Sequence, residues 1–160
     1  MEYMNINFVE MINQTTGEFA EKFEKRNLQI VLNVPEKPVM VRTDGRRMWR
    51  VIENIYNNAA KYALEGTRVY ADLIEKEHTV EFSLKNISEQ PLNISADELT
   101  ERFIRGDVSR STEGSGLGLS IAKNLTELQG GKFELYLDGD LFKVTIVFPK
   151  AVVGQSVTKS

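Results

Sequence analysis

A chain of 160 residues with 41% hydrophobic content can bury one sizeable core and is too short for two. Its 20 basic and 23 acidic residues leave a net charge of −3 and a pI of about 5.3, which excludes a broad cationic surface for nucleic acid or anionic lipid. The absence of cysteine excludes disulfides, zinc thiolates and thiol nucleophiles, and a cytoplasmic location is expected. No apolar run approaches the roughly 18 residues that span a bilayer, and Met1-Glu2-Tyr3 lacks a signal-peptide pattern, so no membrane contact is expected of the chain as given. One domain is expected over residues 1–150, with a tail over 151–160, polar from Gly154 to Ser160, that is expected to be disordered.

Phe8, Ile12, Thr16, Phe19 and Phe23 recur at helical spacing and predict an amphipathic helix over about 6–26. LQIVLNV (28–34) and PVMVRT (38–43) read as short strands; Pro35 and Pro38 break any helix between them, and an edge hairpin is one arrangement open to them. Asp44 or Thr43 can cap a second helix over about 45–64, with Met48, Val51, Ile52, Ile55, Ala59 and Ala63 on its apolar side. TRVYADLIE (67–75) and TVEFSLKN (79–86) alternate as antiparallel neighbours turned at Lys76-Glu77-His78.

Ser95 and Glu98 form a capping-box start for a short helix ending near Phe103. From Arg105 to Gly116 the chain is polar or glycine apart from Val108, a loop whose length points to function or disorder. A third long helix is predicted over about 117–129, ended by Gly130-Gly131. KFELYLD (132–138) and LFKVTIVF (141–148) then form a hairpin across Gly139-Asp140. Segregated elements of this kind predict an α+β two-layer sandwich, in which a mixed, mostly antiparallel sheet is covered on one face by helices.

Two stretches carry chemistry. Along NIYNNAAKY, helical geometry places Asn54, Asn58 and Lys61 on one stripe flanking the apolar face, where a solvated polar face and a ligand site are both open readings. Three asparagines in one helix disfavour it locally, each by up to about 0.7 kcal/mol relative to Ala. In EGSGLGLSIAK, Gly114, Gly116 and Gly118 open a helix whose N-terminal N–H groups can hold phosphate. No GKS or GKT follows and no strand precedes, so neither the P-loop nor the dinucleotide fingerprint fits.

Together the two stretches resemble the catalytic domain of bacterial two-component sensor histidine kinases. That family sits in the wider ATPase superfamily of gyrase, the ninety-kilodalton heat-shock chaperones and mismatch-repair ATPases. TDGRRMWRVIENIYNNAAKYA is similar to the family's asparagine box. ELTERFIRGDVSRST is similar to its phenylalanine box and nucleotide lid, and EGSGLGLSIAKNLTELQGG to its second glycine box; the likeness covers roughly 5–149. It implies binding of ATP with Mg2+, the metal held by the amide oxygen of Asn58, which suits a hard cation that keeps most of its waters, with support from Asn54. It implies that Lys61 meets the phosphates and Tyr62 packs near the nucleoside. By the same likeness Gly114, Gly116 and Gly118 cradle the phosphate chain, Leu117 and Leu119 anchor that turn, Phe103 pins the lid, and Arg105 or Arg110 neutralises phosphate charge.

One departure stands out. Where the family has Asp-x-Gly-x-Gly, this chain has Asn86-Ile87-Ser88-Glu89-Gln90, so the adenine-reading position falls on Asn86, an acceptor without charge. Related hydrolases carry a glutamate general base one turn before the metal asparagine; here that position is Asn54, and Glu53 lies about 100° around the helix. The resemblance therefore implies transfer to a histidine of a separate dimerisation domain in the parent protein, with a response regulator downstream and membrane anchorage of the parent. The single histidine, His78, reads as a surface turn residue rather than the acceptor. Without its acceptor domain the chain is expected to be inactive alone. The altered adenine motif motivates an alternative, a silent nucleotide-binding regulatory module of the same fold; an anti-sigma serine kinase matches the boxes less well.

Overall fold

A computed structural model describes residues 1–90 and 115–151. Its elements are β1 (Tyr3–Asn7), α1 (Phe8–Lys25), β2 (Gln29–Asn33), β3 (Met40–Asp44), α2 (Gly45–Tyr62), β4 (Arg68–Glu75), β5 (Thr79–Ile87), α3 (Ser115–Leu128), β6 (Lys132–Asp138) and β7 (Leu141–Pro149). The five-stranded sheet runs β2-β4-β5-β7-β6; only β2-β4 is parallel, and β1 pairs with β3 in a separate two-stranded ladder. This is the expected α+β sandwich.

Alternation decides which face of the sheet is covered. Val69, Ala71 and Leu73 on β4, Val80, Phe82 and Leu84 on β5, and Phe142, Val144, Ile146 and Phe148 on β7 are all buried, and period-two geometry places them on one face. The other face carries a register row of Tyr70, Lys85, Lys143 and Tyr136. Helices α1 and α2 press Phe8, Phe19, Phe23 and Tyr56 onto the apolar side. The Tyr56 ring lies parallel to both Phe23 and Phe82, 6.2 Å from each. Its hydroxyl is 2.6 Å from that of Thr16, and burial pushes its pKa up to about 12 although the Thr16 hydrogen bond opposes the rise.

Every residue assigned to the apolar side of α2 is buried, joined by Tyr56 and Ala60. Asp44, rather than Thr43, caps this helix, accepting from the Arg46 and Arg47 amides. β2 and β3 do not form a hairpin. The reason lies in α2, whose 18 residues span about 27 Å. β3 is tied to its start through Asp44, whereas β2 is tied beyond its end, where the Gln29 amide donates to the Thr67 carbonyl and Gln29 pairs with Arg68. The N-terminal strand β1, which periodicity does not announce, takes the place beside β3. At the C-terminal end of α3 the two glycines serve different needs. Gly130 adopts φ +84°, and a Cβ on Gly131 would lie 2.8 Å from the Phe148 ring.

The helix expected from Ser95 to Phe103, the loop over 105–114 and the tail from 152 onward lie outside the described residues. α3 begins at Ser115, so Gly116 belongs to its first turn rather than to the preceding loop. Its N–H is one of the first four that a helix leaves without an internal partner.

Candidate functional site

The elements that place the candidate residues are α2, the end of β5 and the start of α3. Asp44 fixes the beginning of α2. One carboxylate oxygen accepts from the Arg46 and Arg47 amides at 3.1 and 3.2 Å, and the other from the Glu2 amide at 2.9 Å and Arg47 Nη1 at 2.8 Å. These bonds hold its pKa down to about 2, backbone donation from Glu2 being the largest cause. The Asp44 amide in turn donates to Gln129 Oε1 at 2.9 Å, which sets the end of α3 against the start of α2.

Since α3 packs along α2, that bond makes the two helices antiparallel. Asn58 lies 14 residues after Asp44, and Ser115 lies 14 before Gln129, so each is about 21 Å along its helix and the start of α3 comes level with Asn58. The helix N-terminus holding Gly116, Leu117 and Gly118 thus lies next to the turn of α2 that carries Asn58. Leu119, one residue further on, is buried at 1% exposure. Of the remaining sequence-predicted residues, Phe103, Arg105, Arg110 and Gly114 fall outside the described residues.

On α2, Asn58 is buried at 8% exposure, Lys61 is exposed, and Asn54 and Tyr62 are half-buried. The Asn54 Nδ2 atom is buried with no hydrogen-bond partner; such an orphan costs about 1–3 kcal/mol, and a ligand that accepts from it would remove that cost. Glu53 is exposed, as its angle on the helix requires.

The far wall is the end of β5. Asn86 is 4% exposed and shares the helix-facing side of the strand with Leu84 and Phe82. Beyond it the chain crosses the end of α2: the Leu64 amide donates to Ile87 O at 2.8 Å, the Glu89 amide to Tyr62 O at 2.9 Å, and Ala63 bridges Ser88. Asn86 and Tyr62 therefore flank one corner, with Asn58 one helical turn back along α2.

A family model described as histidine kinase-, DNA gyrase B- and HSP90-like ATPase matches residues 43–152. The chain belongs to that ATPase family. It is similar to the sensor protein KdpD of Clostridium acetobutylicum, 33% identical over 86% of this chain and 16% of the relative. It is also similar to the sensor protein VanSC of Enterococcus gallinarum, 30% identical over 88% of this chain and 39% of that one. This ATPase domain thus spans well under half the length of both relatives. Among solved structures it is similar to the catalytic domain of the histidine kinase ThkA, with TM-score 0.81, 26% identity, and coverage of 94% of this chain and 97% of that one. It is an ATP-binding domain of the kind found in sensor histidine kinases.

A residue the sequence did not mark is Arg26, just past α1. Its guanidinium reaches the Ala60 carbonyl on α2 and the Glu89 carboxylate beyond β5. A basic residue at the C-terminal end of a helix is expected merely to complement the dipole, so no local signal sets Arg26 apart.

Proposed function

We propose that this ATPase domain is a kinase that transfers the γ-phosphoryl group of ATP to a histidine on a separate helical dimerisation domain of a longer parent protein. The parent would then pass the group to a response regulator. In the transfer a bond forms between the histidine nitrogen and the γ-phosphorus while the bond from that phosphorus to the bridging oxygen of ADP breaks.

The observation that carries this reading is the chemistry of α2. On this helix the amide of Asn58 is buried and that of Asn54 half-buried, while the carboxylate of Glu53 is exposed to solvent. An amide cannot take a proton from water as a general base does, which supports transfer to a nucleophile brought from elsewhere. His78 does not fit the acceptor role: its side chain is 85% exposed beside Glu77, in the turn between β4 and β5.

The donor set fits a Mg2+ ion carried in with the nucleotide. Asn58 would offer one neutral oxygen, and among the described residues no group of three or more histidines or carboxylates could hold a metal without it. Bound there, Mg2+ would neutralise charge on the β- and γ-phosphates. Asn54 would support Asn58, Lys61 would meet the phosphates, and Tyr62 and Asn86 would flank the base. The N–H groups of Gly116, Leu117 and Gly118 would hold phosphate oxygens at the start of α3. Gly114 before that turn, Phe103, and Arg105 or Arg110 complete the proposed site as the sequence likeness assigns them. Among the described residues no helix is long and apolar enough to cross a membrane; the parent would carry its membrane anchor outside this domain, which would lie in the cytoplasm.

The test supplies labelled ATP, Mg2+ and a dimerising helical hairpin in trans. Acid-labile phosphate on the hairpin histidine is the expected result, with none on the chain incubated alone. Label on His78 would overturn the reading, and release of phosphate to water without labelling would make the domain a hydrolase. ATP binding with neither outcome would establish a regulatory nucleotide-binding module, the second reading, which the uncharged buried Asn86 favours.

A further inference from the structure

We propose that Arg26 is a positioning residue of the nucleotide site, setting from behind it the distance between the last turn of α2 and the segment after β5. The proposal rests on the nucleotide reading above and adds to it a residue that touches no ligand.

The helix end explains why a cation is needed there. Within an α-helix the Ala60 carbonyl would accept from the Leu64 amide, but that amide donates to Ile87 O instead. The chain has left the helix by Ala63, and the last carbonyls of α2 need partners from outside it. Arg26 Nη1 donates to Ala60 O at 2.8 Å, where a positive charge also complements the helix dipole. Tyr62 O accepts from the Glu89 amide at 2.9 Å. The Glu89 carboxylate then accepts from Arg26 Nη2 at 3.1 Å, which closes a ring of contacts through Arg26, Ala60, Tyr62 and Glu89.

This ring joins the two walls of the corner. One is the C-terminal end of α2, with Lys61 and Tyr62 in its last turn and Asn58 in the turn before; the other is the strand end, with Asn86. Arg26 is itself held, its side chain 21% exposed with Nε 3.8 Å from Glu65 and its carbonyl accepting from the Gly66 amide at 3.3 Å. The planar fork of a guanidinium can serve Ala60 and Glu89 at fixed directions together, whereas a lysine ammonium on a flexible stem cannot fix both. Loosening the ring should therefore disturb the base end, between Tyr62 and Asn86, more than the phosphate end at the start of α3.

The experiment compares wild type, Arg26→Ala, Arg26→Lys and Glu89→Ala for binding of ATP and of inorganic triphosphate, each with Mg2+, well below the melting temperature. Arg26→Ala should weaken ATP by about three- to tenfold and leave triphosphate unchanged. Arg26→Lys should recover part of the loss. In the trans-phosphorylation assay KM for ATP should rise with kcat held. Glu89→Ala keeps the backbone bond to Tyr62 and should show the same selectivity to a smaller degree, so the proposal stays testable if Arg26→Ala fails to fold. Equal weakening of ATP and triphosphate, or unchanged ATP affinity in both variants, would overturn the role of Arg26. Failure of the wild type to bind ATP would instead refute the nucleotide reading itself.

Discussion

Asn86→Asp separates the reading of the base from the stability of the strand that carries it. Asn86 is 4% exposed, opposite Phe142 in the ladder and on the same face as Leu84, so the substitution places a carboxylate where the chain buries a neutral amide. Without nucleotide this should destabilise the domain by about 1–3 kcal/mol, or about 2–4 °C in Tm per kcal/mol for a chain of this size. The effect on ATP binding has the opposite sign. A hydrogen bond from the adenine amine to a charged acceptor contributes about 1.5–3 kcal/mol against about 0.5–1.5 for a neutral one. After part of the gain is lost to carboxylate desolvation, ATP affinity should rise by about 1 kcal/mol, roughly fivefold. The rise in Tm on adding ATP should thus be larger in the variant although its starting Tm is lower. A carboxylate cannot donate to the guanine carbonyl that replaces the adenine amine, whereas the amide can, so GTP affinity should fall. Calorimetry with both nucleotides and melting curves with and without them check this. Parallel changes for ATP and GTP would refute the placement of Asn86 against the base.

Asn58→Ala, at a position 8% exposed on a helix otherwise intact, should weaken Mg2+-dependent ATP binding while circular dichroism remains that of the wild type; unchanged Mg2+ dependence in a titration would remove Asn58 from the site. Gly131→Ala should destabilise the fold by about 1–3 kcal/mol, because the new Cβ would meet the Phe148 ring at 2.8 Å and the Val147 carbonyl at 2.9 Å; urea unfolding measures it. The Asp44 pKa is lowered from 3.8 to about 2, so its stabilising contribution is present above about pH 4 and is lost as pH falls toward 2. Asp44→Asn should melt lower than wild type at pH 7, and the gap should close with acid.

Helices α1 and α2, the β4-β5 and β6-β7 pairs and, to within one residue, the caps at Asp44 and Gly130 were legible in the sequence because each is announced within its own segment. A 3.6-residue or two-residue recurrence shows which side will be buried, and short turns leave antiparallel neighbours little choice. That Asn54, Asn58 and Lys61 share one side of α2 was legible for the same reason, whereas the start of α3 at Ser115, ahead of Gly116, was not. Pairing over longer distances was not. The strands β2 and β3 are neighbours in the chain, but α2 holds them at opposite ends of an 18-residue helix, and so β2 pairs with β4 and β3 with β1. The bond from the Asp44 amide to Gln129, 85 residues apart, makes α3 antiparallel to α2 and brings its glycines level with Asn58. Arg26 finds Ala60 and Glu89 at separations of 34 and 63 residues. No local period encodes such contacts; they exist because burying the apolar sides of both helices on one sheet leaves the helix-end carbonyls and strand-end carboxylates within reach of one another, where unpaired polar groups would be costly.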